Sequence, residues 1–168
     1  WAMLADPVDH HQWHTPFVTV GRQAGPFYVK GGLRYVYEKF PSLDFYDATG
    51  IPNVSYRRAL RYAAKDPAGC VSSRTLDEWL PNVGVNYEVS KRLNAYFDYG
   101  RNFGRPAFDV WNAYGNNKPV FDARGVPAQY LWDNIKAEIS DHFDLGMRYD
   151  ADRWNISGTL FYALHNDK

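Results

Sequence analysis

The chain has one cysteine, Cys70, so it holds no disulfide within itself. A partner thiol would have to come from other sequence, and the redox state of Cys70 stays open. Nineteen Lys and Arg balance nineteen Asp and Glu. No surplus of charge therefore points to nucleic acid or to an anionic membrane surface, and no nucleic-acid partner is expected. No run approaches the roughly 18–20 apolar residues of a transmembrane helix, which argues against a helical membrane protein. A basic start followed by an apolar stretch, the mark of a signal peptide, is also missing. Methionine is scarce at 2 among 168 residues.

What the chain has is aromatic side chains, 17% of the total, with 13 Tyr, 10 Phe and 6 Trp. They fall in alternating segments. From Ala137 to Leu164 two such segments meet at Ala151-Asp152-Arg153. The first places Phe143, Leu145, Met147 and Tyr149 on one face and Asp144, Gly146, Arg148 and Asp150 on the other. The second sets Trp154, Ile156, Leu160, Tyr162 and Leu164 against Asn155, Ser157, Thr159 and His165. A period of two belongs to a strand, and two strands across a tight turn make a hairpin. Aromatics toward the ends of the apolar face, with charges and amides opposite, suit a wall between hydrocarbon and water.

Four more strands are predicted, over residues 17–23, 27–40, 79–89 and 93–104. In the second of these, Phe27, Val29, Leu33, Tyr35 and Tyr37 oppose Lys30, Arg34 and Glu38. In the third, Val83, Val85, Tyr87 and Val89 oppose Asn82, Gly84, Asn86 and Glu88. In the fourth, Leu93, Ala95, Phe97 and Tyr99 oppose Asn94, Tyr96 and Asp98. The inward charges Lys30, Arg34, Asp98 and Arg148 are expected to pair with neighbouring strands or with a plug inside a water-filled lumen. Ala24-Gly25-Pro26 and Ser90-Lys91-Arg92 supply short turns. Residues 1–15 read as a loop. Residues 41–77 and 106–136 read as long connections, the first with one short helix within 55–65.

Short turns at one end and long loops at the other match the periplasmic and extracellular sides of an outer-membrane barrel. Such long connections would be unusual inside a compact soluble domain. The predicted fold is all-β: about six strands of an antiparallel up-and-down transmembrane β-barrel, forming an open curved sheet in isolation. The chain opens at Trp1 and stops just after a strand pattern, so a partial barrel domain over residues 1–168 is expected, with plug and remaining strands outside it.

At this point the residues resemble a known family. Residues 133–149, DNIKAEISDHFDLGMRY, resemble the KPE-x-S-D-N-x-E-L-G-x-R-Y stretch of TonB-dependent outer-membrane receptors. Residues 154–164 are similar to the strand that follows it there. Leu80-Pro81-Asn82-Val83-Gly84-Val85-Asn86-Tyr87 resembles the family's P-x-x-G-x-x-Y strand. Residues 96–106, YFDYGRNFGRP, resemble its YasYgrgfraP strand, and Gly31-Gly32-Leu33-Arg34-Tyr35 its GlRY strand. Ala137, His142 and Asp144 depart from the usual Pro, Asn and Glu. A receptor of this kind would have about 22 strands and an N-terminal plug. The resemblance implies a Gram-negative outer-membrane receptor that takes up a scarce nutrient, most often a ferric siderophore. Its partners would be outer-membrane lipid, lipopolysaccharide and, through the plug, the TonB energy-coupling complex. The matched motifs build wall and carry no ligand signature.

Candidate ligand-facing groups lie in the long connections: Tyr56, Arg57, Arg58 and Arg61 in the first, Trp111, Tyr114 and Arg124 in the second. Arg pairs with carboxylate or phosphate through its planar fork, so an anionic ferric chelate fits them. The bland alternative is a solvated loop or lipopolysaccharide contact. Asp9-His10-His11-Gln12-Trp13-His14 is rich in ligand atoms, but no spacing matches a closed zinc signature, and neither metal nor cofactor is expected. Nothing resembles a nucleophile elbow. Asp141 and Asp144 point to opposite faces of a strand and make a poor acid–base pair, so no enzyme is expected. Two rivals remain: a small stand-alone adhesin or porin-like barrel, and a soluble carbohydrate-binding β-sandwich.

Overall fold

The computed structural model describes residues 3–52, 54–105 and 110–167. They divide into two compact units. One, the wall unit, is drawn from His14–Tyr37, Leu76–Arg105 and Ala137–Lys168. The other, the connection unit, is drawn from Trp1–Trp13, Glu38–Thr75 and Pro106–Lys136.

In chain order the strands are β1 (Met3–Pro7), β2 (Gln12–His14), β3 (Phe17–Ala24), β4 (Phe27–Phe40), β5 (Leu43–Asp47), β6 (Ala64–Lys65), β7 (Arg74–Ser90), β8 (Leu93–Gly104), β9 (Glu138–Asp150) and β10 (Asn155–Asp167). The large sheet runs β10-β9-β8-β7-β4-β2, with β3 also paired to β4. It does not close. The β3–β4, β7–β8, β8–β9 and β9–β10 ladders are antiparallel neighbours in sequence, the up-and-down order expected of a barrel wall.

Register aligns the alternating faces. Val85, Phe97, Leu145 and Leu160 form one row across β7 to β10, and Val83, Tyr99, Phe143 and Tyr162 form the next. These apolar side chains face outward: Leu160 is 75% exposed and Leu145 56%. A soluble fold would bury them, at about 25 cal/mol for each Å² removed from water. Aromatic rows bound the apolar band. Phe27 stacks on Tyr87 at 4.5 Å near the short turns, with Tyr149 and Trp154 at the same end. Tyr35 meets Trp79 at 4.6 Å and Tyr99 meets Phe143 at 5.1 Å toward the other end.

The opposite face is polar and is held by side chains lying flat across glycines. Lys30 of β4 reaches over Gly84 to Asp98 of β8, N to O 3.1 Å. Tyr96 of β8 reaches over Gly146 to share a hydrogen bond with Thr159 of β10, 2.6 Å. A β-carbon at either glycine would overlap the side chain above it. At the first turn, Gly25 takes φ +58°, a conformation that glycine adopts without penalty.

The connection unit departs from the sequence reading. The sequence predicts a loop over residues 1–15, but β1 pairs antiparallel with β5, Met3 opposite Asp47 and Pro7 opposite Leu43. Its partner lies far along the chain, where no local pattern announces it. Within 55–65 the helix shrinks to one turn, α1 (Tyr56–Ala59), and residues 106–136 carry α2 (Val110–Asn116), α3 (Lys118–Ala123) and α4 (Ala128–Asn134). The breakers there bound helices instead of abolishing them: Pro119 sits in the first turn of α3, Gly125 follows its C-cap at φ +65°, and Pro127 precedes α4. Similarly, β7 starts at Arg74 instead of residue 79, because Thr75 and Asp77 are exposed and give no apolar alternation. The unit has its own core, with Phe40, Phe45, Val71, Tyr114, Ala128 and Trp132 all buried.

Candidate functional site

The two long connections are tied together inside the connection unit. Trp132 of α4 is 1% exposed, its indole N–H donates to the Ser72 carbonyl at 2.9 Å, and Phe40 packs edge-on to its ring at 5.9 Å. Arg74 donates back to the Trp132 carbonyl. Gln129 accepts from both the backbone N–H and the hydroxyl of Ser72, at 2.7 and 3.1 Å. The Ala128 N–H donates to the Ala68 carbonyl at 2.8 Å.

Lys118 adds a charged tie. Its ammonium lies 2.9 Å from an Asp66 carboxylate oxygen in the first connection and 2.9 Å from one of Asp122, and it donates to the Tyr114 hydroxyl at 3.4 Å. Burial alone would weaken the ammonium, yet hydrogen bonds to Asp122, Asp66 and Tyr114 outweigh it and hold the pKa above the usual lysine range. Asp122 is correspondingly held below the usual carboxylate range, chiefly by Lys118. Burial pushes the Tyr114 phenol up. Sequence reasoning missed Lys118. Its spacing from Asp122 is that of an ordinary exposed helical ion pair, and only the fold brings Asp66 to it.

The candidate ligand groups separate accordingly. Tyr56, Arg57 and Arg58 lie on α1, with Arg61 just after its C-cap Leu60, and all four are exposed. The three guanidiniums have no ion-pair partner among the described residues, and the first turn of α1 carries no acid. The Tyr56 hydroxyl donates to the Ala5 carbonyl, which anchors one end of a ring that is 45% exposed. Arg124, the C-cap of α3, is also exposed. Tyr114 is wholly buried, packs on Phe121 at 5.7 Å and donates to Asp122 at 3.2 Å. Its place is in the unit's core. The side chain of Trp111 lies outside the described residues. Tyr62 and Tyr130, not singled out in the sequence, are exposed on the same unit.

In the wall unit, the polar face holds a depression of about 430 Å³ lined by Tyr28, Lys30, Asn86, Tyr96, Asp98 and Arg148 among others. Of the inward charges, Lys30 pairs with Asp98 and Arg148 with Asp150, while Arg34 has no ion-pair partner among the described residues. On the apolar face, beyond the Tyr99–Phe143 row, Asp141 takes a two-point ion pair from Arg101 at 2.9 and 3.1 Å and the Tyr99 hydroxyl at 2.7 Å. Asp144 is on the other face, consistent with the reading that the two acids do not act together.

The His-rich opening segment is taken up in local structure. His11 Nε2 lies 2.7 Å from the Glu38 carboxylate, Asp9 accepts from the Ser42 N–H at 2.8 Å, and the His14 ring tilts over Tyr37 at 6.0 Å. Among the described residues no three His, Cys, Asp or Glu side chains converge on one point.

An unclosed, up-and-down sheet with an exposed apolar band bounded by aromatics, a polar opposite face and turns of two to four residues defines the wall of a transmembrane β-barrel. Residues 12–168 match the family described as TonB dependent receptor-like, beta-barrel, and the chain belongs to that family. Its members are outer-membrane receptors and transporters, not enzymes. No curated protein matches the chain. Family and single-layer sheet together set aside the soluble sandwich and the stand-alone adhesin-like barrel.

Proposed function

We propose that this chain is one arc of the barrel of a nutrient receptor, and that the receptor takes up an anionic ferric chelate of the siderophore class. The observation that carries the ligand class is the run of exposed guanidiniums at Arg57, Arg58 and Arg61, with the exposed Tyr56 ring beside them and no acid in the first turn of α1. Guanidinium forks bind carboxylate or phenolate-type oxygens in pairs, and an aromatic face packs against a flat chelate. Arg124 belongs to the same reading. Ligand release inward would depend on a plug elsewhere in the receptor, whose N-terminal segment adds a strand to the energy-coupling partner. The barrel arc supplies wall and outer surface, and no covalent step falls to it.

The test is a binding titration of the full-length receptor in detergent against a panel of ferric chelates, followed by intrinsic fluorescence quenching. Each charge-assisted hydrogen bond contributes about 1.5–3 kcal/mol, so an Arg57→Ala/Arg58→Ala/Arg61→Ala variant should lose at least about tenfold in affinity for anionic chelates. A variant that binds every anionic chelate as well as the parent, yet loses lipopolysaccharide, would reassign these cations to lipid phosphate and sink the ligand reading.

A further inference from the structure

On the polar face of the β9–β10 ladder, two imidazoles stand as diagonal neighbours. The register sets His165 opposite Ser140 and Ala163 opposite His142, so both rings share one face, away from the apolar band. Their centroids are 6.0 Å apart and the planes cross at 77°. A metal–nitrogen bond of about 2.0–2.1 Å puts each ring centroid about 3.2 Å from a shared ion. Two such rings are then about 5.2 Å apart at a tetrahedral angle and about 6.4 Å apart when opposed across the ion. The observed spacing falls inside that range.

Each ring has a hydrogen-bond partner on one nitrogen, the arrangement in which the other nitrogen can ligate a metal. His165 Nδ1 lies 2.5 Å from the Glu138 carboxylate, an acceptor for the Nδ1–H, and that tautomer leaves Nε2 to present a lone pair. His142 Nε2 lies 2.9 Å from the Ser140 hydroxyl, and with Nε2–H donating to that oxygen Nδ1 is left for the same role. A carboxylate on the far nitrogen fixes the tautomer and raises the basicity of a histidine ligand. The side chains of His165 and Glu138 are 58% and 50% exposed, so an ion has access.

We propose that His142 and His165 form a two-imidazole site for a borderline divalent transition ion of the zinc, nickel or copper class, with Glu138 and Ser140 as positioning residues. Imidazole nitrogen selects these ions over hard cations, which prefer oxygen. Two protein ligands leave positions open for water or for a small chelator that arrives with the metal. The site is independent of the guanidiniums on α1, and its ligand is of a different class from a ferric chelate.

The experiment uses the full-length receptor in detergent, with Cu²⁺ as a spectroscopic probe and Zn²⁺ in calorimetric titration. One equivalent of Zn²⁺ should bind in the parent, and bound Cu²⁺ should show hyperfine coupling to two imidazole nitrogens. His142→Ala and His165→Ala should each reduce that coupling to one nitrogen and weaken Zn²⁺ at least about tenfold, while Glu138→Gln, which removes only the outer partner, should weaken it about 10–100-fold with both nitrogens still coupled. Heat-modifiable gel mobility reports whether each variant is a folded barrel. His142→Gln and His165→Gln serve wherever the alanine variant is not. No saturable site in the folded parent, or a site that keeps its affinity and two-nitrogen signature in both histidine variants, would overturn the proposal.

Discussion

The buried ammonium of Lys118 should hold the two long connections together as one cooperative body. Lys118→Met removes the cation and keeps most of the side-chain volume. What remains is the Asp66 carboxylate, whose side chain is only 12% exposed and whose facing partner was 11% exposed. Breaking a buried pair from one side costs about 3–5 kcal/mol, and at these exposures little is returned by solvent screening. Taking about 3 kcal/mol, opening of the connection unit becomes about 100-fold more frequent. Native-state hydrogen exchange on the full receptor in detergent reads this directly. The Ala128 N–H, bonded to the Ala68 carbonyl, and the Val71 N–H, bonded to the Leu43 carbonyl at 3.0 Å, should exchange about 100-fold faster. Lys118→Met with Asp66→Asn should recover much of the loss, because no unpaired charge is then left buried. Exchange within about threefold of the parent in the single variant, or strictly additive losses in the double variant, would refute the reasoning.

The pH dependence follows with its sign. A raised lysine pKa means Lys118 contributes fully below the ordinary lysine value of about 10.4, and the contribution is lost as pH rises through the folded value. A lowered Asp122 pKa means its contribution is present above about 3.9 and is lost as pH falls through the folded value. Protection of the same two amides, corrected for intrinsic exchange, should therefore be flat from about pH 5 to 9.

Other substitutions test the wall. Phe97→Arg, on the apolar face in register with Val85 and Leu145, should cost about 2–4 kcal/mol in a urea titration of folding into vesicles. Asp98→Asn, one residue on and facing the other way, should cost under about 1 kcal/mol because its pair with Lys30 is exposed; equal costs would mean that the faces are misassigned. Gly146→Val drives a side chain into the Tyr96 ring and should cost about 1–3 kcal/mol in the same titration. Adding Tyr96→Ala should restore most of that loss, and failure to do so would remove the close approach as its cause.

The wall was legible because its signal is local. A strand between hydrocarbon and water must alternate at every step, so Phe143 to Tyr149 and Ile156 to Leu164 can be read without knowing what lies beside them. Register then follows from the short turns. The connections were opaque for the opposite reason: their order comes from partners distant in sequence. Nothing near Asp66 announces Lys118, and nothing near Met3–Pro7 announces the β5 strand it pairs with. Tyr114 shows the cost of that blindness. In a segment taken as loop an aromatic reads as a ligand contact, whereas two connections that fold together need aromatics for a core of their own.

On the ligand reading proposed above, the same contrast bears on specificity. Outward residues of β7 to β10 answer to hydrocarbon, which distinguishes little beyond apolar from polar, so many sequences satisfy the wall equally well. The flanking strands are equally constrained by chemistry that ignores the ligand. Among the described residues β10 is an edge strand, and a bare N–H or C=O facing lipid costs several kcal/mol. Neither demand selects a nutrient. The connection unit is under no such rule: its core fixes α1 through Ala59 and the Tyr56 hydroxyl, and the fixed turn then projects Arg57, Arg58 and Arg61 into water. Changing those three side chains would leave the core and the wall untouched. On the ligand reading proposed above, a surface of that kind, anchored from below and free to vary above, is where a receptor of this family would change its ligand without refolding.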